Sequence, residues 1–213
     1  MAYSIKEIYP TLQGEGVHTG RPAVFCRFTG CNLWSGREAD RAQATCRFCD
    51  TDFRGVDGPG GGRFEGAEEL ADRLAHTWEQ SPHADQQPYV VFTGGEPLLQ
   101  LDDVLVSACH ARGFQVGVET NGTLPAPEGI DWICVSPKAG TVLAQRTGHE
   151  LKVVYPQAGI DLAALESLPF RHFFLQPLDD EHANRNLEAT REQCRVLPHW
   201  TLSLQTHKLL GIP

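Results

Sequence analysis

Apolar and polar positions along the chain fall into short blocks that predict strands alternating with helices. Residues 2–8 alternate and predict a short strand. Residues 22–29, PAVFCRFT, predict a second, opened by Pro22. Period two puts Val24, Cys26 and Phe28 on one face of it and Ala23, Phe25 and Arg27 on the other. Within 68–79, Leu70, Ala71, Leu74, Ala75 and Trp78 recur at helical spacing and form a core stripe. Further strands are predicted at 88–92 (PYVVF), 114–118 (FQVGV), 131–135 (DWICV), 150–154 (ELKVV), 171–175 (RHFFL) and 199–204 (HWTLSL). Helices are predicted near 101–112, 160–168 and 183–196, whereas the links 119–131 and 136–149 are too short or too rich in Gly and Pro.

Strands separated by helices imply a parallel sheet with crossover connections. Polar clusters recur where these strands end: Thr93-Gly94-Gly95-Glu96, Glu119-Thr120-Asn121-Gly122, Ser136-Pro137-Lys138, Gln176-Pro177-Leu178-Asp179 and Gln205-Thr206-His207-Lys208. In barrel-type α/β proteins that edge carries the chemistry, and a complete eight-fold barrel takes about 250 residues. With 213 residues, the expected fold is α/β, an incomplete TIM-type βα barrel forming a single domain over 1–213.

Composition narrows the function. Apolar residues make up 41% and charged residues 21%, ordinary for a globular protein, and the net charge of −9 argues against a surface that tracks nucleic acid. No stretch approaches the ~18 apolar residues of a membrane span. The N-terminus, MAYSIKEIYP, carries Lys6 and Glu7 and lacks the apolar core of a signal peptide. Seven cysteines, an odd number, then point to reduced thiols in the cytoplasm rather than to a disulfide framework.

The stretch Cys31–Thr51 carries the distinctive chemistry. Cys31, Cys46 and Cys49 stand with fourteen and then two residues between them. Three thiolates can hold three irons of a cubane cluster and leave the fourth open, whereas zinc would want a fourth Cys or His at ordinary spacing. A zinc- or cluster-stabilised binding module without chemistry is the alternative from a different class. Cys26, Cys109, Cys134 and Cys194 read as inert core thiols. The intervening residues, with Arg37, Glu38, Asp40 and Arg41, read as a solvated loop or short helix around the cluster. Thr51 either caps a turn or offers its hydroxyl to a hard cation. Arg27 either snorkels from an edge or meets an anion or a ring edge in a cavity. In TLQGEG, Gln13 and Glu15 point the same way in an extended chain, yet the stretch also reads as a plain polar loop. GVDGPGGGR, 55–63, reads as a mobile surface loop without the features of a phosphate loop.

A three-cysteine site followed by a GGE strand end resembles the radical S-adenosylmethionine (SAM) superfamily. The ordered set TLQGEG, FCRFTGCNLW, CRFCDT, TGGEP, ETNG, VSPK, QPLD and QTHKLLGIP is similar to the 7-carboxy-7-deazaguanine synthase family, in its members with an extended cysteine loop, here 30–51. The likeness runs from about Tyr9 to Pro213. The gap of fourteen between the first two cysteines departs from the three usual in the superfamily.

The resemblance implies a partial barrel of the radical SAM type. It also implies conversion of 6-carboxy-5,6,7,8-tetrahydropterin to 7-carboxy-7-deazaguanine by hydrogen abstraction at C6, ring contraction and loss of ammonia, in queuosine and deazapurine synthesis. One [4Fe-4S] cluster, SAM, Mg2+, an electron donor such as flavodoxin or ferredoxin, and a homodimer come with it. By matching motif, Cys31, Cys46 and Cys49 would ligate the cluster and Thr51 the magnesium. Phe48, Cys49, Asp50, Gly95, Ser136, Pro137, Lys138, Gln176, Pro177, Leu178 and Asp179 would line the SAM site, with Glu119 on its ribose. Leu12, Gln13, Gly14, Glu15, Arg27, Thr93 and the terminal carboxylate of Pro213 would meet substrate, and His207 is a looser candidate. The adenosyl radical takes the hydrogen, so no side chain is assigned as the catalytic base.

Overall fold

The computed structural model of the chain describes residues 2–213. Its nine strands form one sheet in the order β3-β1-β2-β4-β5-β6-β7-β8-β9. Strands β1 (Tyr3–Leu12), β2 (Pro22–Phe28) and β3 (Gly62–Phe64) build one margin. Strands β4 (Tyr89–Gly94), β5 (Gln115–Thr120), β6 (Trp132–Val135), β7 (Glu150–Tyr155), β8 (His172–Pro177) and β9 (Trp200–Leu202) extend it in chain order. From β2 through β9 each neighbouring pair is parallel, as the alternation of strands and helices predicts. β1 runs antiparallel to both β2 and β3. The link 13–21 is too short for a crossover, so β1 and β2 form an antiparallel pair. No pairing joins β3 to β9, so the sheet is unclosed.

Helices α1 (Ala67–Glu79), α2 (Asp103–Ala111), α3 (Leu162–Glu166) and α4 (Ala183–Val196) cover one face. Under α1 and α2 lie Val24, Cys26 and Phe28 of β2 with Val90, Phe92, Val116 and Val118, all at most 1% exposed. Under α3 and α4 lie Val135, Leu151, Val153 and Leu175. Asp102 caps α2 by accepting from Leu105 N at 2.9 Å, and the same oxygen takes the Tyr3 hydroxyl at 2.8 Å, which ties β1 to that helix. The opposite face carries Phe25, Arg27, Val91, Glu119, Lys152 and Gln176 at alternate positions. It is the face that holds the site.

Three expectations need correction. The first strand runs to Leu12, beyond residue 8, because β2 pairs with it as far as Leu12↔Pro22. The Gly-rich segment 55–63, expected to be a mobile loop, is pinned to β1: Gly58 N donates to Lys6 O at 2.9 Å, Ile8 N to Pro59 O at 2.7 Å, and Gly62 and Arg63 already belong to β3. Glycine lets the segment lie against the β1 backbone, since a Cβ at Gly61 would stand 2.2 Å from Lys6 O. After β9, which is shorter than 199–204, residues Thr206–Leu210 form a fifth helix, α5, where only a polar strand end was expected. Its five residues are too few for the periodic signal to register. No helix of the described chain is long and apolar enough to cross a membrane.

Candidate active site

A cavity of about 480 Å³ opens at the C-terminal ends of the parallel strands. Its wall comprises Tyr9 and Leu12 of β1, Arg27 of β2, Thr93 of β4, Glu119 of β5, Lys152 and Val154 of β7, and Gln176 of β8. Loops and α5 complete it with Cys31, Cys46, Cys49, Ser136, Lys138, Asp179, His207 and Pro213.

The three cysteines reach this cavity from the long loop between β2 and β3. Gly95 makes room for the first of them, after Gly94 has brought β4 close to the Phe28 backbone. Gly94 has a φ of +136°, and a Cβ on Gly95 would stand 2.1 Å from Gly30 O and 2.8 Å from Cys31 Cβ. Leu33 N points at Cys31 Sγ at 3.4 Å. Burial raises the thiols of Cys31 and Cys46 above their ordinary range. Backbone N–H groups of Leu33 and Trp34 oppose this at Cys31, and the Lys138 ammonium does so at Cys46. Arg41, read from sequence as part of a solvated surface, holds the loop in shape. Its guanidinium donates to Arg47 O at 2.9 Å and Cys49 O at 3.0 Å and lies 4.0 Å over the Trp34 ring, which packs edge-on to Phe53. The other four cysteines lie outside the cavity: Cys26, Cys109 and Cys134 are buried and Cys194 half-buried.

A polar network floors the cavity. Lys152 Nζ lies 2.6 Å from Glu15 Oε2 and 2.9 Å from Glu119 Oε2. Gln13 Nε2 donates to Glu119 Oε1 at 3.1 Å, and Gln176 and Gln205 both donate to Glu15 Oε1 at 3.0 Å. Burial opposes ionisation of Glu15, but Lys152, Gln205 and His207 outweigh it and hold the carboxyl at about 2. On the cavity wall, Arg27 donates to Glu7 at 2.7 Å and to the Tyr9 hydroxyl at 3.0 Å, which fixes its plane.

The rim is closed by the end of the chain. Thr206 N and Oγ1 both donate to Gly14 O at 2.9 Å, and His207 packs against Gly14, where a Cβ would meet the imidazole at 2.1 Å. The Thr11 hydroxyl donates to Pro213 O at 2.7 Å. Lys208 bridges Asp50 and Asp179.

Of the residues singled out from sequence, all but one therefore line one cavity. Pro137 is buried between Ser136 and Lys138 without lining it. Sequence reasoning missed Lys152, and it named Gln205 and Lys208 only as part of a polar strand end, without a role. For Lys152 a signal was present: a lysine inside the apolar strand ELKVV must point either to solvent or to a polar partner. It also gave Glu96 no role. That carboxylate is 0% exposed and accepts from Leu98 N, Thr120 Oγ1 and Asn121 N at 2.7–2.9 Å, clamping the ends of β4 and β5 together.

Fold and cavity together define an α/β enzyme whose polar groups converge at the C-terminal ends of parallel strands. No family model matches the chain. It is 59% identical over 212 residues to the 7-carboxy-7-deazaguanine synthase of Bradyrhizobium diazoefficiens, across 100% of both chains. It is 59% identical over 213 residues to that of Bordetella pertussis, again across 100% of both. Among solved structures it is similar to QueE from Escherichia coli, with a TM-score of 0.67 and 27% identity over 96% of this chain and 94% of that one. The chain belongs to the 7-carboxy-7-deazaguanine synthase family.

Proposed function

We propose that this cavity converts 6-carboxy-5,6,7,8-tetrahydropterin to 7-carboxy-7-deazaguanine by radical SAM chemistry, for queuosine and related deazapurines. The observation that carries this reading is that Cys31, Cys46 and Cys49 share one cavity with the Gln13–Glu15 turn and the Gln176–Asp179 turn. The unclosed, mostly parallel sheet supports its reading as an incomplete barrel acting as one domain.

The donor set fits the implied cofactors. The three thiols line the same cavity and lie near enough to influence one another's ionisation, one takes a backbone N–H, and Lys138 offers positive charge beside Cys46, although among the described residues no three such groups already stand at metal-holding geometry. These cysteines would hold a [4Fe-4S] cluster, and Phe48, Asp50, Gly95, Glu119, Ser136, Lys138, Gln176, Pro177, Leu178 and Asp179 would surround SAM. Together the bound cluster and SAM supply a one-electron reductive cleavage and a hydrogen-abstracting radical. Thr51 lies between Asp50 and Asp52, whose carboxylates are engaged by Lys208 and Lys6, and its hydroxyl is the oxygen assigned to Mg2+.

The chain's own groups then orient the pterin and exclude water. Glu15 accepts from the pterin's N–H edge, with Leu12, Gln13 and Gly14 beside it. Arg27, already fixed by Glu7 and Tyr9, turns its remaining N–H groups to the substrate carboxylate or ring oxygen. Thr93 and the Pro213 carboxylate close the pocket. A small electron-transfer protein such as flavodoxin or ferredoxin supplies the electron, and the enzyme works as a cytoplasmic homodimer.

The test is anaerobic reconstitution with carboxytetrahydropterin, SAM, Mg2+ and reductant, followed by mass spectrometry. Carboxydeazaguanine at many turnovers per SAM is expected. 5′-Deoxyadenosine alone would overturn the substrate, and neither product from a cluster-loaded protein would overturn the radical chemistry.

A further inference from the structure

Lys152 is a buried ammonium, its side chain 5% exposed, set between two carboxylates that are themselves only 17% and 19% exposed. Its partners come from distant parts of the chain. Glu15 belongs to the turn after β1, and Glu119 stands on β5. Around them stand Glu150 on β7, Cys134 on β6, Tyr89 on β4, Lys138 after β6 and His207 on α5.

The lone pairs of the two carboxylates define what the ammonium does. A carboxylate offers about four acceptor sites. Glu15 spends two on the amides of Gln176 and Gln205 and a third on Lys152. Glu119 spends one on Gln13 and one on Lys152. Both are thus held in one orientation with acceptor capacity left for the cavity. Among the described residues, neither pairs with another lysine or arginine. Two carboxylates this close, out of water, do not both stay ionised without a counter-charge.

We propose that Lys152 is the specificity-positioning residue of this site: shared between Glu15 and Glu119, its ammonium keeps Glu15 acceptor-only beside a second carboxylate and so selects a ligand edge made of adjacent N–H donors. This rests on the reading of Glu15 as the residue that meets the pterin. A pterin presents its 2-amino group and a ring N–H along that edge. A lumazine, which has a carbonyl in place of the amino group, presents an acceptor where Glu15 also accepts. Protonation of Glu15 would turn it into an O–H donor and erase the distinction.

The test uses cluster-loaded protein under anaerobic conditions and two unreactive probes, 6-carboxypterin and 6-carboxylumazine, titrated calorimetrically. Wild type is expected to prefer the pterin across the whole pH range. In Lys152→Met Glu15 has lost its counter-charge and takes up a proton, so pterin binding should be about tenfold weaker near pH 6 than near pH 7.5, where the ring N–H of the probe is still in place, with the preference for pterin shrinking in step. Lys152→Arg should restore the wild-type profile. His207 is common to all these proteins, so the readout is the difference from wild type. If Lys152→Met does not fold, Lys152→Gln, which keeps a hydrogen bond but not the charge, is expected to give the same acid weakening. A variant without the charge at 152 that still binds with the wild-type pH profile and preference overturns the role of Lys152 alone. A wild type that binds no carboxypterin overturns the pterin reading of the cavity as well.

Discussion

Lys208, on the last helix of the chain, lies 2.7 Å from Asp50, the residue that follows Cys49. The same ammonium lies 2.5 Å from Asp179 in the loop after β8. One side chain thus ties the C-terminal helix to the cysteine loop and to the β8 turn, closing the rim over the cavity. All three groups are substantially exposed, so the tether contributes about 0–1 kcal/mol to global stability. Lys208→Ala is therefore expected to leave the melting temperature almost unchanged. It should instead speed amide exchange in 206–213 and raise KM for the pterin. Exchange measured by mass spectrometry, with kinetics alongside, checks both.

Gly95 makes a sharper demand. A methyl there would stand 2.1 Å from Gly30 O and 2.8 Å from Cys31 Cβ, contacts that only a shift of the backbone relieves. Gly95→Ala is expected to displace the loop carrying Cys31 and to cost on the order of 2 kcal/mol. Iron content after reconstitution should fall sharply. Gly66→Ala meets nothing within 4 Å and serves as the control. Equal iron loading in the two variants would refute this placement of Cys31.

The chain end is part of the cavity wall, with Pro213 O accepting from the Thr11 hydroxyl at 2.7 Å. Adding a few residues after Pro213 moves the terminal carboxylate away. Turnover is expected to drop about tenfold or more, the scale of one lost charge-assisted contact. The same extension placed before Met1 serves as the comparison, and full activity of the C-terminally extended protein would exclude a role for that carboxylate.

Away from the cavity, His18 sits edge-on to Tyr89 and Trp132, and its Nε2 is buried without a hydrogen-bond partner. Burial, with Arg21, His149 and His172 nearby, lowers its pKa from the ordinary 6.5 to about 4. A base with a depressed folded-state pKa binds fewer protons when folded than when unfolded. Its contribution is thus complete above pH 6.5 and is lost as pH falls towards 4. Urea unfolding across that window should show stability falling with acid, and His18→Gln should reduce the slope. An unchanged slope would mean that other groups govern it.

Thr51 offers a separate check on the cation. Thr51→Ala removes a single oxygen and leaves the cysteines in place, so cluster loading should persist while the dependence of turnover on Mg2+ weakens. An unaltered magnesium response would rule out the hydroxyl as a ligand.

Much of this molecule is written in local pattern. Period-two alternation fixes which face of each strand meets the helices, because successive side chains must point opposite ways. Val24, Cys26 and Phe28 are buried for that reason, and Arg27 faces the cavity. The order of strands and helices requires a mostly parallel sheet, and the polar residues at its strand ends follow from the same order. Tertiary structure alone decided the partnerships. Lys152 meets Glu15 and Glu119 because β7 and β5 flank β6 and the turn after β1 folds over them. α5 forms where the chain end packs on Gly14 and Lys208 finds two carboxylates, and segment 55–63 is fixed by β1. Side-chain direction is a property of a few neighbouring residues, whereas a buried charge finds its counter-charge only through contacts far apart in the chain, which no local pattern encodes.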